Sequence, residues 1–412
     1  MNLKKIRGTQ DIYGKNMILF NYIVNVARKT SKLFNFIELY LPIIENSDLF
    51  NKTLGDTSDI VHKETYSFLD RSKSRITLRP EFTTVILRAI LSNEMLKLLP
   101  LRIFTQGQVF RHERPQNSRL RQFNQINFEY IGYNNIKAEV ELIYLAYYLL
   151  NELKIYDKLL LKLNTIGDDL CKYKYNLALQ NYFLNHEKSF SFLDKIRLLI
   201  NPIRLLDSKN LEKNIIFSSP ELFNFIHNQE KRIFEKLLLL LKELKIKFQY
   251  DKNLVRGIDY YSGTVFEVVY NDGINNNAIF AGGRYDRLIY NIGGYKIKGI
   301  GFAIGIERIM EFFSFIKIKR SSRLYLIPVG KIAEQKSFII LNYFRKNNVS
   351  IFIDYGISFK KRICRANKYF VDYLLLYGNK ELKENILILK NMKSGVHSFL
   401  NIFHIKEFLK SI

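Results

Sequence analysis

Polar and apolar residues alternate along two neighbouring segments of the chain, and a turn-forming segment, PQNSRL, separates them. Successive side chains of an extended strand point to opposite faces, so strict alternation indicates strands with one face of each kind. The first segment alternates through Val109, Arg111 and Glu113, and Pro115 and Asn117 favour the turn. The pattern predicts a long antiparallel hairpin with a basic tip.

One face of the second predicted strand combines several kinds of polar group with an aromatic ring. Its residues are Arg121, Phe123, Gln125, Asn127 and Glu129. Two interpretations are open from these residues alone. The face is either a solvated sheet surface, which antiparallel sheets commonly have, or the floor of a ligand-binding site.

Length and charge set the range of possible functions. The 412 residues are 47% hydrophobic, which is enough for a large core and for two or three domains. Lys+Arg number 64 against Asp+Glu 39, a net charge of +25 that favours a polyanionic partner, nucleic acid before an anionic membrane surface. The excess of Lys, Asn, Ile, Phe and Tyr, with no Trp, is also what AT-rich coding produces, so charge alone does not decide the partner.

The cysteines and histidines predict neither a disulfide framework nor a metal cage built by the protein. Cys171 and Cys364 form no CxxC pair, and the six histidines are dispersed. The amino terminus has no apolar signal core, and no apolar run approaches the roughly 20 residues of a membrane helix. We therefore expect a cytoplasmic protein in a reducing compartment.

The element pattern divides the chain into four parts. Strands and helices alternate up to about Thr165, helical spacing dominates from there to about Lys247, and strand signals then return, ending in GIGFAIGIERIMEFF, a glycine-rich strand that continues into a helix. The basic run KIKRSSR is the best linker candidate. Residues 323–412 beyond it follow a β-α-β-α-β pattern, which predicts a separate small α/β domain.

Two common nucleotide-binding signals are missing. No GxxxxGK[ST] segment occurs, and GIGFAIG departs by one residue from the dinucleotide fingerprint and lacks a following βαβ unit. Three arginines remain in separate polar segments, Arg111, Arg256 and Arg308, and arginine is the fork-shaped partner of phosphate and carboxylate. Arg308 also falls in the first turn of a predicted helix, whose amides favour a phosphate, although exposed helix arginines are common.

A series of segments, in order along essentially the whole chain, resembles the signatures of the histidyl-tRNA synthetases, a family of class II aminoacyl-tRNA synthetases. FRHERPQ…RQFNQINFEYIG resembles motif 2, LPIIENSDLFNKTLGDTSDIVHKETYSF resembles motif 1 with its following loop, and GIGFAIGIERIM resembles motif 3. GTQDIYG, TLRPEFT, LVRGIDYYSGTVFEV and AGGRYDRLI resemble further segments of that family. The resemblance implies an α+β fold: a catalytic domain on an antiparallel sheet flanked by helices (1–164 and 251–318), a helical insertion (165–250) and an anticodon-binding α/β domain (323–412).

The resemblance also implies roles for individual residues. Arg111, Arg256 and Arg308 would be catalytic, with Arg111 and Arg256 on either side of the α-phosphate and Arg308 on the γ-phosphate. Histidine would be bound by Glu81, Thr83, Arg111, Gln125, Glu129, Arg256, Tyr260, Tyr261 and Tyr285. ATP would be bound by Arg111, Glu113, Arg121, Phe123 and Arg308, with the Phe123 ring on adenine, and the tRNA acceptor end would meet Gln116.

One position departs from the family pattern LRPEGT, because Phe82 stands where that pattern has glycine. The ring either crowds the pocket or faces away from it. Since the polar neighbours Glu81 and Thr83 are both retained, we expect the ring to face away.

The activity that the resemblance implies is activation of L-histidine with ATP, followed by transfer of histidine to the 3′ end of tRNA(His). Mg²⁺ would arrive on the ATP phosphates and need no dedicated protein site. A homodimer is expected, with motif 1 at a two-fold interface around Ile37 to Leu49. Two alternatives are a non-catalytic, synthetase-like regulatory subunit of ATP phosphoribosyltransferase and a synthetase-derived RNA-binding regulator. The retained carboxy-terminal segment and the three arginines favour the enzyme.

Overall fold

The computed structural model describes residues 3–54, 64–115, 119–187, 190–208, 211–255, 260–270, 278–313, 323–354, 356, 358–369 and 371–402. The chain divides into two compact units, Met1–Ile316 and Lys317–Ile412. Gln116, Arg256 and all of the KIKRSSR run except Arg323 lie outside the described residues.

The first unit contains eleven described strands and ten described α-helices. The strands are β1 (Ile37–Glu38), β2 (Ile44–Asn46), β3 (Tyr66–Leu69), β4 (Arg75–Leu78), β5 (Leu101–Phe110), β6 (Gln122–Ile131), β7 (Leu159–Thr165), β8 (Phe248–Tyr250), β9 (Thr264–Tyr270), β10 (Ala278–Arg284) and β11 (Gly299–Gly305). The helices are α1 (Gly14–Leu33), α2 (Ser47–Leu54), α3 (Thr83–Ser92), α4 (Ile136–Glu152), α5 (Asp169–Leu184), α6 (Phe192–Ile200), α7 (Lys213–Phe217), α8 (Asn228–Glu243), α9 (Leu288–Gly293) and α10 (Ile306–Phe312).

Eight of these strands form one sheet in the order β1-β5-β6-β11-β10-β9-β7-β8. Its neighbours are antiparallel except at the two edges, where β1 pairs with β5 and β8 with β7 in parallel. The predicted hairpin is confirmed: β5 and β6 pair over ten positions, from Leu101 opposite Ile131 to Phe110 opposite Gln122. Strands β2, β4 and β3 form a smaller antiparallel sheet.

The two faces of the large sheet differ in chemistry. On one face, phenylalanines from adjacent strands lie side by side, with the Phe128 ring 5.1 Å from Phe104 and 5.2 Å from Phe302. Helices α1, α4 and α10 pack against strand β6 of this sheet. The opposite face carries Glu129, which pairs with Gly301 across β6 and β11. Because side chains alternate along each strand, the apolar row fixes which way Glu129 points.

The helical insertion lies between two neighbouring strands of the same sheet. The chain leaves at the end of β7, forms α5 to α8, and returns as β8 beside β7. Tyr175, Phe183 and Leu198 are among the buried residues that hold these helices together. The predicted predominance of helix in this region is confirmed.

The second unit is a five-stranded sheet with three described helices. Its elements are β12 (Leu324–Pro328), α11 (Lys331–Lys346), β13 (Ile351–Ile353), α12 (Phe359–Lys368), β14 (Tyr373–Tyr377), α13 (Asn379–Glu384), β15 (Ile386–Asn391) and β16 (His397–Asn401). Strands β13, β12 and β14 are parallel, as the β-α-β-α-β pattern predicts, while β15 and β16 add an antiparallel pair that was not predicted. Leu326, Phe344 and Leu375 belong to its own core.

Among the helices that the structure describes, none is both long and apolar enough to span a bilayer.

Candidate active site

A cavity of about 700 Å³ opens on the polar face of the large sheet. It is lined by ten of the residues that the sequence predicts for the site: Glu81, Thr83, Arg111, Glu113, Phe123, Gln125, Tyr260, Tyr261, Tyr285 and Arg308. They come from β6, α10, the hairpin segment after β5 and the segments around α3, β9 and β10, so the fold brings distant parts of the chain to one site.

The carboxylate of Glu129 is completely buried behind the cavity wall, next to the lining residues Thr83 and Tyr285. The Thr83 hydroxyl donates to its Oε1 at 2.7 Å, the Asn127 amide donates to Oε1 at 3.2 Å, and the Tyr285 hydroxyl donates to Oε2 at 2.5 Å. Burial raises the pKa of Glu129 to about 7, against the lowering effect of these hydrogen bonds. In its ionised form, a carboxylate held in this way is a strong acceptor for a ligand N–H group.

Three glycines leave the space that these side chains occupy. A Cβ atom on Gly301 would lie 1.5 Å from Glu129 Oε2, and one on Gly299 would lie 2.2 Å from the Tyr285 ring. A Cβ atom on Gly283 would lie 2.8 Å from the Tyr261 ring. The pocket therefore requires glycine at these three positions of β10 and β11, because a larger residue would collide with its walls.

Tyrosine rings form the wall beside Glu129. Tyr260 lies 4.7 Å from Tyr261 and 5.9 Å from Tyr285, measured between ring centroids. Burial raises the pKa of Tyr260 and Tyr285 well above the usual value, and nearby carboxylates act in the same direction. Both phenols therefore stay protonated and can donate hydrogen bonds.

The turn before α3 joins the two ends of the cavity. The Glu81 carboxylate accepts from the backbone amides of Thr83 at 2.6 Å and Thr84 at 2.8 Å, which caps the helix start. Burial raises the pKa of Glu81, while the two amides and the nearby Arg111 favour its ionised form. Arg111 Nε donates to the Pro80 carbonyl at 2.9 Å, so the same turn also positions this guanidinium.

Phe82 points away from the cavity. Its side chain is completely buried in the apolar core, and the Arg79 guanidinium carbon lies 4.2 Å from its ring centroid. Gly107 opposite makes room, since a Cβ there would lie 2.9 Å from Arg79 and 3.4 Å from the Phe82 ring. The departure from LRPEGT therefore leaves Glu81 and Thr83 facing the site.

The other end of the cavity is cationic. Burial lowers the pKa of Arg308, and the nearby guanidinium groups of Arg111 and Arg119 lower it further. Glu113 lies 3.9 Å from Arg111 and 3.5 Å from Arg119, so one carboxylate faces two of the three arginines. Mutual repulsion among partly buried cations is relieved when a polyanion binds, which suits this end to a phosphate chain.

Two further residues of β6 face the space between these ends. The Phe123 ring centroid lies 5.4 Å from the Arg111 guanidinium carbon, which makes a flat platform next to the cationic end. Gln125 is buried, and its Oε1 accepts no hydrogen bond within the part of the chain that the model describes. A buried acceptor without a donor is costly, so a donor on the ligand would stabilise it.

Among the predicted residues that the structure describes, Arg121 and the buried Glu129 do not line the cavity, and Arg121 has a different set of contacts. Its Nε donates to the Glu113 carbonyl at 3.4 Å, and its backbone N–H donates to the Gly8 carbonyl at 2.7 Å. It ties the hairpin to the amino-terminal segment.

Sequence reasoning missed several lining residues. They are Arg119 from the hairpin tip, Glu267 from β9, Glu307 beside Arg308, and Arg197 and Arg204 from the insertion. Of these residues, only Arg119, in the basic hairpin tip, and Glu307, in the GIER segment, lie in stretches that the sequence analysis singled out. The insertion arginines had none, because only packing of that region against the sheet brings them to the cavity.

Comparisons with known proteins agree with this geometry. The family model described as histidyl-tRNA synthetase matches residues 21–175 and 215–309. A histidine–tRNA ligase of Wolbachia pipientis wMel is 41% identical over 396 residues, 96% of each chain. The crystal structure of apo S. aureus histidyl-tRNA synthetase matches with a TM-score of 0.81 and 28% identity, over 99% of this chain and 100% of that one.

A structure from Bacillus halodurans, described as an ATP phosphoribosyltransferase regulatory subunit/histidyl-tRNA synthetase, covers 92% of this chain and 99% of its own. Its TM-score is 0.69 at 20% identity, which shows a shared fold and nothing more. The family match and the 41% identity over nearly the full length are decisive. The chain belongs to the histidyl-tRNA synthetase family.

Proposed function

We propose that this protein is a histidine–tRNA ligase, which activates L-histidine with ATP to histidyl-adenylate and pyrophosphate and then transfers histidine to the 3′ end of tRNA(His). One observation carries the proposal. One end of a single cavity is lined by the Thr83 hydroxyl and the Tyr285 phenol, which hold the buried Glu129 carboxylate behind them, and the other end is lined by three arginines.

The buried end fits an imidazole side chain. Glu129 receives three hydrogen bonds from the protein, and a carboxylate has about four acceptor sites, so one remains for an imidazole N–H. The Tyr260 and Tyr285 rings border the same space. A side chain without a matching N–H would leave this remaining acceptor site of Glu129 unfilled, which supports selection for histidine.

The cationic end fits ATP. Arg111 would contact the α-phosphate and the histidine carboxylate, Arg308 the γ-phosphate, and the Phe123 ring the adenine. In the reaction, a carboxylate oxygen attacks the α-phosphorus and pyrophosphate leaves, so the residues supply position and positive charge instead of a nucleophile. We assign Arg256 the second cation at the α-phosphate on the basis of the sequence resemblance.

Mg²⁺ carried on the ATP phosphates would reduce their negative charge. Carboxylate oxygens are the ligands that Mg²⁺ prefers, and Glu267 and Glu307 line the cavity together with Arg308. These residues therefore fit a metal–nucleotide complex.

We also propose tRNA(His) as the macromolecular substrate, with Gln116 at its acceptor end and residues 323–412 at its anticodon, in the cytoplasm. The net charge of +25 supports a nucleic-acid partner. A homodimer is supported by apolar side chains exposed in and near the motif 1 segment: Tyr40 is 95% exposed, Ile44 52% and Phe68 47%.

Pyrophosphate exchange tests the proposal directly. Histidine alone among the amino acids should support ATP–pyrophosphate exchange, and the same preparation should charge tRNA(His). Exchange without charging would exclude a complete ligase. Histidine binding with no exchange would favour the regulatory-subunit alternative, and tRNA binding with neither activity would favour an RNA-binding regulator.

A further inference from the structure

The helical insertion begins and ends at two helix starts that face each other. Asp168 is the N-cap of α5, and its side chain accepts from the Cys171 backbone N–H at 2.9 Å. His227 is the N-cap of α8, and Glu230 lies in the first turn of that helix. Each helix therefore contributes its N-cap residue and the residue three positions later, in a D-x-x-C…H-x-x-E pattern.

Potential metal-ligating atoms converge at this point. One carboxylate oxygen of Asp168, the Cys171 sulfur and one ring nitrogen of His227 all lie within 4.8 Å of one another. Backbone hydrogen bonds also link the two helix starts. The His227 N–H donates to the Cys171 sulfur, and the Asp168 N–H donates to the Glu230 carboxylate.

Glu230 supplies an independent observation. Its Oε2 atom is inaccessible to solvent and accepts no hydrogen bond from any residue that the model describes. This oxygen and the Cys171 sulfur both lie beside Gly167. A Cβ atom added to Gly167 would lie 3.4 Å from the oxygen and 3.2 Å from the sulfur. Ordinary helix capping explains the Asp168–Cys171 contact, but it leaves this oxygen without a partner.

We propose that Asp168, Cys171 and His227 form a binding site for a divalent transition-metal ion, with Zn²⁺ the ion that fits best and the neighbouring Glu230 carboxylate the candidate fourth ligand. Zinc takes four ligands from sulfur, imidazole nitrogen and carboxylate oxygen, which is the set present here. The sequence predicted no such site, because the two pairs are far apart along the chain and neither is a zinc motif by itself.

The charge balance favours occupancy. With Asp168, Cys171 and Glu230 ionised and His227 neutral, a divalent ion leaves a net charge of −1 between two helix N-termini, which attract negative charge. Binding must remove the Cys171 proton, so the affinity should rise with pH.

The ion would fasten the start of the insertion to its last helix, next to the active site. Lys172 follows Cys171 and donates from its ammonium group to the backbone carbonyl of Tyr261, which lines the cavity. Occupancy would therefore stiffen the wall that carries Tyr261, and this role does not depend on the amino acid that the enzyme activates.

Cobalt(II) titration of the tag-free full-length protein tests the site. The wild type should bind one equivalent with a thiolate-to-cobalt charge-transfer band in the near ultraviolet, and added Zn²⁺ should abolish the band. Cys171→Ser should lack the band, whereas Cys364→Ser, which alters the exposed cysteine of the second unit, should keep it. His227→Gln and Glu230→Gln should each weaken binding at least about tenfold, as losing one ligand does.

A second measurement covers the case in which Cys171→Ser fails to fold. Zn²⁺ should raise the melting temperature of the wild type and of Cys364→Ser, and raise that of His227→Gln much less. Absence of the band in the wild type overturns the proposal. So does unchanged cobalt affinity in both His227→Gln and Glu230→Gln, or a band that persists in a folded Cys171→Ser variant.

Discussion

The Glu129 carboxylate holds its proton more strongly in the folded chain than in the unfolded one, because burial raises its pKa from 4.5 to about 7. An acid with a raised folded pKa contributes most to stability below its unfolded pKa, and this contribution is lost as pH rises to the folded value. Between about pH 4.5 and pH 7, the ligand-free wild type should lose on the order of 3 kcal/mol relative to Glu129→Gln. Urea unfolding of both proteins across this range measures the difference, and parallel pH profiles would contradict it.

The same substitution should impair histidine selection. Glutamine presents one oxygen and an NH₂ group where Glu129 presents two acceptors, so it cannot serve Thr83, Tyr285 and an imidazole N–H together. The KM for histidine in pyrophosphate exchange should rise at least about tenfold while the KM for ATP changes little, since losing a hydrogen bond to a charged group costs about 1.5–3 kcal/mol. Equal changes in the KM for histidine and for ATP would show that Glu129 does not contact the histidine side chain.

Substitution of Gly301 tests whether the pocket requires the space that glycine leaves for Glu129. In Gly301→Ala, the new methyl group would lie 1.5 Å from Glu129 Oε2, so either the carboxylate or strand β11 must move. We expect loss of histidine-dependent exchange and a destabilisation of about 1–3 kcal/mol. Gly305→Ala on the same strand is the control for stability, because its Cβ would lie 3.6 Å from the nearest Arg308 atoms. Equal melting temperatures for the two variants would show that the collision is avoided.

At the scale of elements, a buried ion pair joins α4 to the end of β10. Arg284 Nε donates to Glu139 at 2.8 Å and Nη2 at 2.5 Å, and both residues are buried. Glu139→Gln leaves the Arg284 charge without its main partner, since Asp286 at 3.2 Å is only a partial substitute. Breaking a buried pair in this way should cost about 3–5 kcal/mol.

Glu141→Gln on the same helix is the matched control. Glu141 pairs with Arg102 at 2.9 Å, but its side chain is 39% exposed, so its loss should cost no more than about 1 kcal/mol. Denaturant unfolding of the two variants compares the costs directly. A cost for Glu139→Gln no larger than that for Glu141→Gln would mean that solvent reaches the pair.

At the scale of the whole molecule, the two units have separate cores. Leu326, Phe344 and Leu375 pack within the second unit, and the described residues that line the cavity all belong to the first. A chain ending before Arg323 should therefore keep histidine-dependent pyrophosphate exchange within a few-fold of normal. It should lose most of its tRNA(His) charging, if the second unit binds the anticodon. Parallel loss of both activities would mean that the first unit needs the second to fold.

The periodicity of polar and apolar residues was sufficient to predict the strands and helices that depend mainly on neighbouring residues in the chain. Strict alternation predicts the β5–β6 hairpin because strand side chains repeat every two residues, and helical spacing predicts α1 and the insertion in the same way. The antiparallel pair β15–β16 was missed because the short alternating runs around Gly395 carry a weak signal without the strand β14 beside which they lie.

The sequence by itself determined most of the strands and helices and the residue types of the predicted site, since each follows from short-range periodicity or from motif resemblance. Only the tertiary structure decided which side chains meet. Glu129 faces Gly301, Phe82 turns into the core opposite Gly107, and Asp168 approaches His227. These contacts join residues far apart in the chain, and they depend on strand register and on space left by glycines, neither of which a local pattern specifies.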